Sequence, residues 1–246
     1  MNKKVAAVIG GSGGIGIEIT RAYLQQGFQV HSFYNKNPEA LRNATQEYSQ
    51  DQLSIASLDL ADDSSVTTAF ENVRSKHQKL DVIVYAPTPA ITNRSVLDLP
   101  WTDYQTHFEV QVRGLYRVVQ AMKQQILEKH RTRFIVVLTD YVVGVPPGSV
   151  SQYVTAKYAL MGFAKSLVAD LSRFNCTVNM LSPGMVQTDL LSGLPPKLVQ
   201  ITAESNPMKR IGVPKDVAGV ALFLASEASE YLNGAHITVD GGRTML

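Results

Sequence analysis

The 246-residue chain is 45% hydrophobic and 18% charged, with a net charge of +2, which is ordinary for a globular protein. Such a small charge gives no reason to expect nucleic-acid binding, and no apolar run approaches the roughly 20 residues of a membrane span. The single cysteine, Cys176, excludes an internal disulfide, and the first apolar run is too short for a signal peptide. We therefore expect a soluble, cytoplasmic protein whose length suits one large domain or two small ones.

The first motif is a glycine-rich turn between an apolar strand and an amphipathic helix. Val5 to Ile9 is a continuous apolar run, as in a strand that is buried on both faces of a parallel sheet. The stretch 17–26 has helical spacing, and the glycines between the two elements lie at positions 10, 14 and 16. A strand, a glycine turn and a helix start present backbone N–H groups to a pyrophosphate, so the motif predicts nucleotide binding.

The end of the second strand, Gln29 to Tyr34, indicates which dinucleotide binds. An acidic residue there would accept from the ribose hydroxyls of NAD, but Asn35 and Lys36 follow Tyr34 instead. Lys36 could pair with the extra phosphate of NADP, although it could also be an ordinary surface lysine. We predict NADPH (NADP) as the cofactor. Asp59, after the third strand, could accept from an adenine amino group or simply form a turn.

Helices and strands alternate along the rest of the chain. Further strands are predicted at 53–58, 80–85, 134–138, 177–181 and 235–239, and helices at 38–49, from about 62, and at 101–130, 151–174 and 214–225. This alternation predicts one α/β domain over residues 1–246, a Rossmann-type doubly wound, mostly parallel seven-stranded sheet with helices on both faces. The segment 190–213, which includes a proline-rich stretch, is a candidate substrate lid.

Tyr153 and Lys157 lie one helical turn apart, so their side chains share one face of the predicted helix. A phenol in water keeps its proton until about pH 10, and a nearby ammonium favours the phenolate and brings that pKa towards neutrality. Any long helix can produce such a pair by chance, so its weight depends on the rest of the chain. The five histidines show no metal-ligand spacing, and no metal site is predicted.

With the glycine turn, Asp59, the Tyr153/Lys157 pair and the run 182–188 (Ser-Pro-Gly-Met-Val-Gln-Thr), the sequence resembles the short-chain dehydrogenase/reductase family. The stretches 207–218 and 233–242 are similar to that family too. Within it, the chain looks most like the 3-oxoacyl-[acyl-carrier-protein] reductases. The resemblance implies an NADPH-dependent carbonyl reductase of a 3-oxoacyl thioester, linked to a carrier protein or to coenzyme A. A catalytically silent NADP-binding subunit of a hetero-oligomer and a reductase of another ketone remain alternatives.

The resemblance also implies residue roles. Tyr153 would donate a proton to the substrate carbonyl, while Lys157 would hold the nicotinamide ribose and lower the tyrosine pKa. The residues that the resemblance assigns to cofactor binding are Gly10, Ser12, Gly13, Gly14, Ile15, Gly16, Tyr34, Asn35, Lys36, Asp59, Leu60, Ala86, Tyr153, Lys157, Pro183, Gly184, Val186 and Thr188.

Two partners follow from the same resemblance. Family members pair their two long helices, here 101–130 and 151–174, so a homotetramer is expected. An acyl carrier protein is a possible partner, and Arg131, Arg133 and Arg173 could form a basic rim for it, or could be ordinary solvated arginines.

Three single positions and one four-residue stretch depart from the family pattern. Ile9 replaces a threonine before the first loop glycine, and the stretch 85–88 (Tyr-Ala-Pro-Thr) replaces Asn-Asn-Ala-Gly. Gln111 replaces the helix asparagine that anchors a water of the proton relay, and Asp140 replaces the serine that polarises the carbonyl. We include Gln111 and Asp140 in the catalytic set with Tyr153 and Lys157.

Asp140 is the most serious departure, because an ionised carboxylate cannot donate a hydrogen bond. Either burial keeps it protonated, or it turns away to pair with a cation such as Lys157 while another hydroxyl substitutes. We favour the protonated form. Thr139 is a doubtful substitute because neighbours on a strand face opposite sides. Ser149 and Ser151 would reach the site only if their loop bends inward.

Overall fold

The computed structural model describes residues 3–245, in which strands and helices alternate along the chain. The strands are β1 Val5–Ile9, β2 Gln29–Tyr34, β3 Leu53–Ser57, β4 Val82–Tyr85, β5 Thr132–Val137, β6 Cys176–Pro183 and β7 His236–Val239. The helices are α1 Gly14–Gln25, α2 Glu39–Ala44, α3 Asp63–Lys76, α4 Trp101–Phe108, α5 Gly114–Ala121, α6 Lys123–Leu127, α7 Ser151–Leu171, α8 Pro196–Ser205 and α9 Pro214–Leu224.

Across residues 3–245 the strands form one seven-stranded sheet in the order β3-β2-β1-β4-β5-β6-β7. Each pairing of neighbouring strands in this sheet is parallel. The predicted α/β architecture is therefore confirmed. The winding direction reverses between β1 and β4, and in such sheets ligands bind in the crevice outside the carboxyl ends of the strands at that reversal.

Helices cover both faces of the sheet, with one apolar core on each side. Because side chains alternate along a strand, Ala6 and Val8 of β1 join one core while Ala7 and Ile9 join the other. The first core lies beneath α1 and α9, and the second beneath α3, α5 and α7. The Tyr23 hydroxyl donates to the Ala221 carbonyl over 3.0 Å and ties α1 to α9. Burial of both faces explains the continuous apolar runs of the central strands.

The helix predicted over 101–130 is interrupted, and this expectation needs correction. A π-helical turn, Glu109–Arg113, separates α4 from α5, and α6 follows after a further break. The Tyr85 hydroxyl donates to the Val110 carbonyl inside this turn. A side chain that takes a backbone acceptor disturbs the regular helical ladder, and π-turns are common near functional sites. Gln111 lies in this turn and is fully buried.

Two other segments differ from the predicted pattern. The helix expected at 38–49 is the shorter α2, and the candidate lid 190–213 contains the helix α8. None of the residues of α8 is buried, and Leu198 and Ile201 are about half exposed. Among the helices described between residues 3 and 245, none is long and apolar enough to cross a membrane.

Candidate active site

The turn after β1 brings backbone against backbone so closely that side chains are excluded. Gly10 has a φ of +82°, and a Cβ there would lie 2.9 Å from the Ala86 carbonyl carbon. A Cβ at Gly14 would lie 2.7 Å from Cγ2 of Thr188, and one at Gly16 would overlap the Gly10 carbonyl oxygen. The glycines therefore allow the turn to contact the segments after β4 and β6.

The turn leads directly into the first turn of α1. Gly13 is the N-cap of α1 and provides no side-chain cap, so N–H groups of the first helical turn face outward without a side-chain acceptor. Ser12 and Ile15 are half-buried beside it, and Gly13 is exposed. An uncapped helix start behind a side-chain-free turn fits the pyrophosphate of a dinucleotide.

The other predicted cofactor residues of the amino-terminal half follow the carboxyl ends of β2, β3 and β4. Asn35 and Lys36 are exposed after β2, next to the half-buried Tyr34. The Asp59 carboxylate accepts from the Ala61 N–H over 2.9 Å, as in an ordinary turn. The remaining two residues lie close to the core: the Leu60 side chain is 6% exposed, and the Ala86 N–H donates to the Ile9 carbonyl over 3.0 Å. Because its side chain is buried, Leu60 can contact a cofactor through little more than its backbone groups.

The segment after β6 closes the crevice on its other side. Pro183 and Val186 are buried, and the Gly184 N–H donates to the Val239 carbonyl over 3.0 Å. Thr188 packs against the glycine turn. The predicted nicotinamide-side residues and the predicted pyrophosphate-side residues therefore meet at one edge of the sheet.

The helix α7 carries Tyr153 and Lys157 into this edge, where both are buried. The Lys157 ammonium donates to the Val137 carbonyl over 2.8 Å and lies 5.7 Å from the centre of the Tyr153 ring. Burial lowers the pKa of Lys157 to about 7. Burial also raises the pKa of Tyr153 far above its ordinary value. The predicted lowering of the tyrosine pKa by Lys157 stays a prediction, because desolvation of the phenol is the dominant influence here.

Aromatic rings surround the Tyr153 phenol. His107 and Tyr141 contact its ring edge-on, with centroids 6.2 and 6.4 Å away. The Thr139 hydroxyl opposes part of the rise in the Tyr153 pKa that burial causes. Thr139 is itself 5% exposed and is therefore shielded from bulk water.

The Gln111 side chain lies against His107 in the π-helical turn region. Its amide nitrogen lies 2.7 Å from Nδ1 of His107, whose pKa is lowered mainly by burial. The Gln111 carbonyl oxygen is buried and has no hydrogen-bond partner among the described residues. A buried acceptor without a partner is uncommon and leaves this oxygen available to a water or a ligand.

Asp140 forms an ion pair with Arg243, through Oδ2 and a guanidinium nitrogen. The Asp140 side chain is fully buried, and Arg243 is one-third exposed and lies 5.3 Å from the centre of the Tyr141 ring. Burial raises the pKa of Asp140, and Arg243 opposes that rise. The favoured protonated donor is therefore not the arrangement found. Asp140 pairs with a cation, and that cation is Arg243, not Lys157.

Sequence reasoning missed Arg243, His107 and Tyr141. The ion pair joins residues 103 positions apart, and no local pattern signals such a contact. Tyr141 has a local signal, because it immediately follows Asp140 in the segment that approaches α7.

The predicted basic rim is wrong at Arg133, which is buried, while Arg173 is exposed and carrier-protein docking stays a prediction. Arg133 is only 4% exposed, and Arg131 pairs with Glu230 over 2.8 Å. Both arginines lie at the amino end of β5, and the Tyr153 site lies at the carboxyl end. A protein docked on them would sit at the opposite edge of the sheet from Tyr153.

The open parallel sheet, the glycine turn and the buried Tyr–Lys pair define a dinucleotide-binding α/β oxidoreductase. A family model described as Enoyl-(Acyl carrier protein) reductase matches residues 10–244. The chain is 31% identical to the 3-oxoacyl-[acyl-carrier-protein] reductase FabG of Chlamydia trachomatis, over 97% of this chain and 96% of that protein. It is 28% identical to the sorbose reductase SOU1 of Candida albicans, over 98% and 87%.

A solved structure agrees with this assignment. The acetoin dehydrogenase YohF from Salmonella typhimurium matches with a TM-score of 0.84 and 25% identity, over 98% of this chain and 97% of that one. The chain belongs to the short-chain dehydrogenase/reductase family, as its motifs predicted. It is accordingly an NAD(P)-dependent oxidoreductase that interconverts an alcohol and a carbonyl group.

Proposed function

We propose that this protein is an NADPH-dependent carbonyl reductase that reduces a 3-oxoacyl thioester to its 3-hydroxy form. The observation that carries the proposal is the buried Tyr153 phenol, which lies beside Lys157 in the crevice that the glycine turn borders. An ordinary phenol is protonated at neutral pH, and burial moves the pKa of Tyr153 further up, so Tyr153 carries a proton there. A protonated tyrosine suits reduction, since this direction requires a proton donor.

The proposed reduction adds a hydride and a proton to the substrate carbonyl. A reduced nicotinamide, when bound, supplies the hydride equivalent for the carbonyl carbon. The Tyr153 O–H bond breaks, and its proton goes to the carbonyl oxygen, which becomes a hydroxyl. The Tyr153 phenolate that remains takes a proton from solvent before the next turnover.

The choice of NADPH rests on the end of β2. Lys36 is exposed there, and no acidic side chain lies in the run Tyr34-Asn35-Lys36 that could repel a 2′-phosphate. A lysine ammonium and a phosphate form a charge-assisted pair, which NADH cannot make.

The choice of substrate rests on similarity to relatives. The chain is more similar to a 3-oxoacyl-[acyl-carrier-protein] reductase than to a sorbose reductase, at 31% against 28% identity. That difference is small, so a reductase of another ketone is the second candidate. Homotetramer formation stays a prediction, which the half-exposed Tyr116 of α5 and Tyr158 of α7 favour.

NADPH oxidation with acetoacetyl-coenzyme A, an acetoacetyl carrier protein, sorbose and acetoin tests both proposals. We expect both thioesters to react faster than either free ketone. Tyr153→Phe should lower kcat by about 10² to 10⁴, because it removes the proton donor. Tyr231→Phe is the control, since the Tyr231 ring is fully exposed and lies outside α7. Equal activity of Tyr153→Phe and the unmodified protein would contradict the role of Tyr153. No turnover of any ketone would favour the silent-subunit alternative.

A further inference from the structure

The turn that follows β3, residues 58–62, lies beside the cofactor crevice and is called the β3 turn below. Its Leu60 side chain packs where α5 has no side chain, since a Cβ at Gly114 would lie 3.1 Å from Cβ of Leu60. The Tyr85 hydroxyl meets the same position, at 2.3 Å from that Cβ. Ala86, the residue after Tyr85, borders the glycine turn. The β3 turn therefore joins the glycine turn through the end of β4.

The hydrogen bonds within the β3 turn tie it to its own helix, α3. The Asp59 N–H donates to the Ser65 hydroxyl over 3.0 Å, and the Asp59 carboxylate accepts from the Ala61 N–H over 2.9 Å. The Asp62 carboxylate caps α3 by accepting from the Ser64 N–H over 2.9 Å. These bonds are local and exposed, so they shape the turn without fixing its place relative to α5.

Arg117 of α5 connects the β3 turn to the rest of the site. Its side chain is 5% exposed, and Nη1 donates to the Leu60 carbonyl over 2.8 Å. Nε of the same guanidinium donates to the Asp63 carboxylate over 2.5 Å, at the start of α3. Nη1 also lies 2.7 Å from a carboxylate oxygen of Glu109, the first residue of the π-helical turn. One planar guanidinium therefore bonds the β3 turn, α3 and the π-helical turn together.

The two carboxylates keep this guanidinium charged. Burial lowers the pKa of Arg117, but the bonds to Asp63 and Glu109 outweigh burial, and the pKa lies above its ordinary value. A charged donor bonds a backbone carbonyl more strongly than a neutral donor does. The bond to the Leu60 carbonyl is also buried, so water does not compete for it. Arg117 is therefore a strong anchor for the backbone of the β3 turn.

We propose that Arg117 is a positioning residue for cofactor binding, which holds the β3 turn where Asp59 and Leu60 meet the adenosine end of the dinucleotide. This inference rests on the proposed NADPH-dependent function and on the predicted contact of Asp59 with adenine. A turn that is already held in place does not have to be ordered by the cofactor, so the cofactor binds more tightly. Arg117 itself touches neither the cofactor nor the substrate in this role.

Arg117→Met keeps much of the apolar stem of the side chain and removes every donor. We expect the affinity for NADPH to fall by about 10- to 100-fold, the cost of losing a hydrogen bond from a charged donor. Adenosine 2′,5′-bisphosphate should weaken by a similar factor, whereas reduced nicotinamide mononucleotide, which lacks adenosine, should stay within about twofold. NADH should weaken as much as NADPH does, because both contain adenosine. Fluorescence titration measures the reduced nucleotides, and displacement of NADPH measures the bisphosphate.

The kinetic constants separate positioning from catalysis. With NADPH saturating, kcat of Arg117→Met should stay within about threefold of the unmodified protein, while KM for NADPH rises by the factor lost in affinity. A lower kcat with an unchanged KM for NADPH would overturn the proposal. Equal losses for the bisphosphate and the nicotinamide mononucleotide would overturn it as well, because the effect would then not be confined to adenosine.

Asp63→Ala is the matched control, because it removes one ion pair of Arg117 and leaves the bond to the Leu60 carbonyl. The Asp63 side chain is 73% exposed, so this ion pair is screened by water. We expect the NADPH affinity of Asp63→Ala to stay within about twofold. If Asp63→Ala weakened NADPH as much as Arg117→Met does, Arg117 would act through the packing of α3 on α5, and the positioning role would be wrong.

Thermal unfolding of each variant shows whether the fold persists. If Arg117→Met does not fold, Arg117→Lys replaces it, because one ammonium cannot serve the Leu60 carbonyl and both carboxylates at once. A smaller loss, again confined to ligands that contain adenosine, is then expected, and unchanged affinities would overturn the proposal. Failure of the proposed function appears separately, as NADPH binding without turnover of any ketone.

Discussion

The two sides of the crevice bring separate segments of the chain into contact in different ways. On the glycine side, formed by Gly10–Gly16 and Thr188, the backbone meets its neighbours because side chains are absent. On the ion-pair side, formed by Thr139, Asp140 and Arg243, distant segments meet through buried polar side chains. The contacts of the glycine side require the absence of side chains, and those of the ion-pair side require opposite charges.

This difference implies different sensitivities to substitution. A side chain added at Gly10 or Gly16 would clash with backbone atoms, which cannot move aside as easily as a flexible side chain. On the ion-pair side, the loss of one partner leaves a buried charge, and the loss of both removes the problem. Single substitutions should therefore be severe on the glycine side, whereas those on the ion-pair side should be rescued by a second change.

The largest effect is expected for Gly16→Ala. Its Cβ would overlap the Gly10 carbonyl oxygen, so the turn must move and its N–H groups lose their alignment. We expect NADPH affinity to fall by at least about 100-fold, through strain of roughly 1–3 kcal/mol and loss of helix-start contacts. Isothermal titration of NADPH measures this effect.

The control for this substitution is Gly219→Ala on α9. Gly219 has open space around its Cβ position and lies in a helix, where alanine is favoured by about 1 kcal/mol. Unchanged affinity with equal or higher stability is expected there. If Gly16→Ala bound NADPH as tightly as Gly219→Ala, crowding would not explain the glycine side.

The next largest effect is a loss of folding stability at low pH, which arises on the β2 side of the sheet. On β2, Nε2 of His31 lies 2.8 Å from Nε2 of His77, and burial lowers the pKa of His31 to about 4. The unfolded chain binds a proton near pH 6.5 and the folded chain only near 4, so stability is lost as pH falls through that window. The loss should reach about 2–3 kcal/mol. Asp140, whose pKa is raised, changes stability in the opposite direction as pH falls.

His31→Gln should flatten the acid decline, because glutamine can hydrogen-bond without titrating. Urea unfolding at pH 7 and pH 4.5 measures the difference in the free energy of unfolding. His130→Gln is the control, since His130 lies outside the apolar cores, in the loop between α6 and β5. An acid decline that persists unchanged in His31→Gln would assign it to other groups.

The sequence predicted the glycine side better than the ion-pair side, for a physical reason. Tight turns need glycine at fixed spacing, so the residues that form the turn are visible in the local pattern. The Asp140–Arg243 pair depends on where β5 and β7 end in space, which local spacing does not encode. The interruption of the helix predicted at 101–130 was not visible in the sequence for the same reason. The hydrogen bond to the Val110 carbonyl comes from Tyr85, which lies on β4, far away in the chain.

The smallest effect is expected where the glycine side meets solvent, at Lys36. Lys36 is exposed after β2, so its pairing with a 2′-phosphate is screened by water and salt. We expect Lys36→Asp to weaken NADPH binding by about tenfold and to leave NADH binding within about threefold, because only NADPH carries the phosphate that the new carboxylate repels. Lys123→Asp makes the same change of charge at the start of α6, before the amino end of β5, and should leave the ratio of the two affinities unchanged. Raising the salt concentration should reduce the effect of Lys36→Asp, since charge pairing between exposed groups weakens with ionic strength. Equal changes in the two affinities would show that Lys36 acts on the shape of the turn, and the selection of NADPH would then need another group.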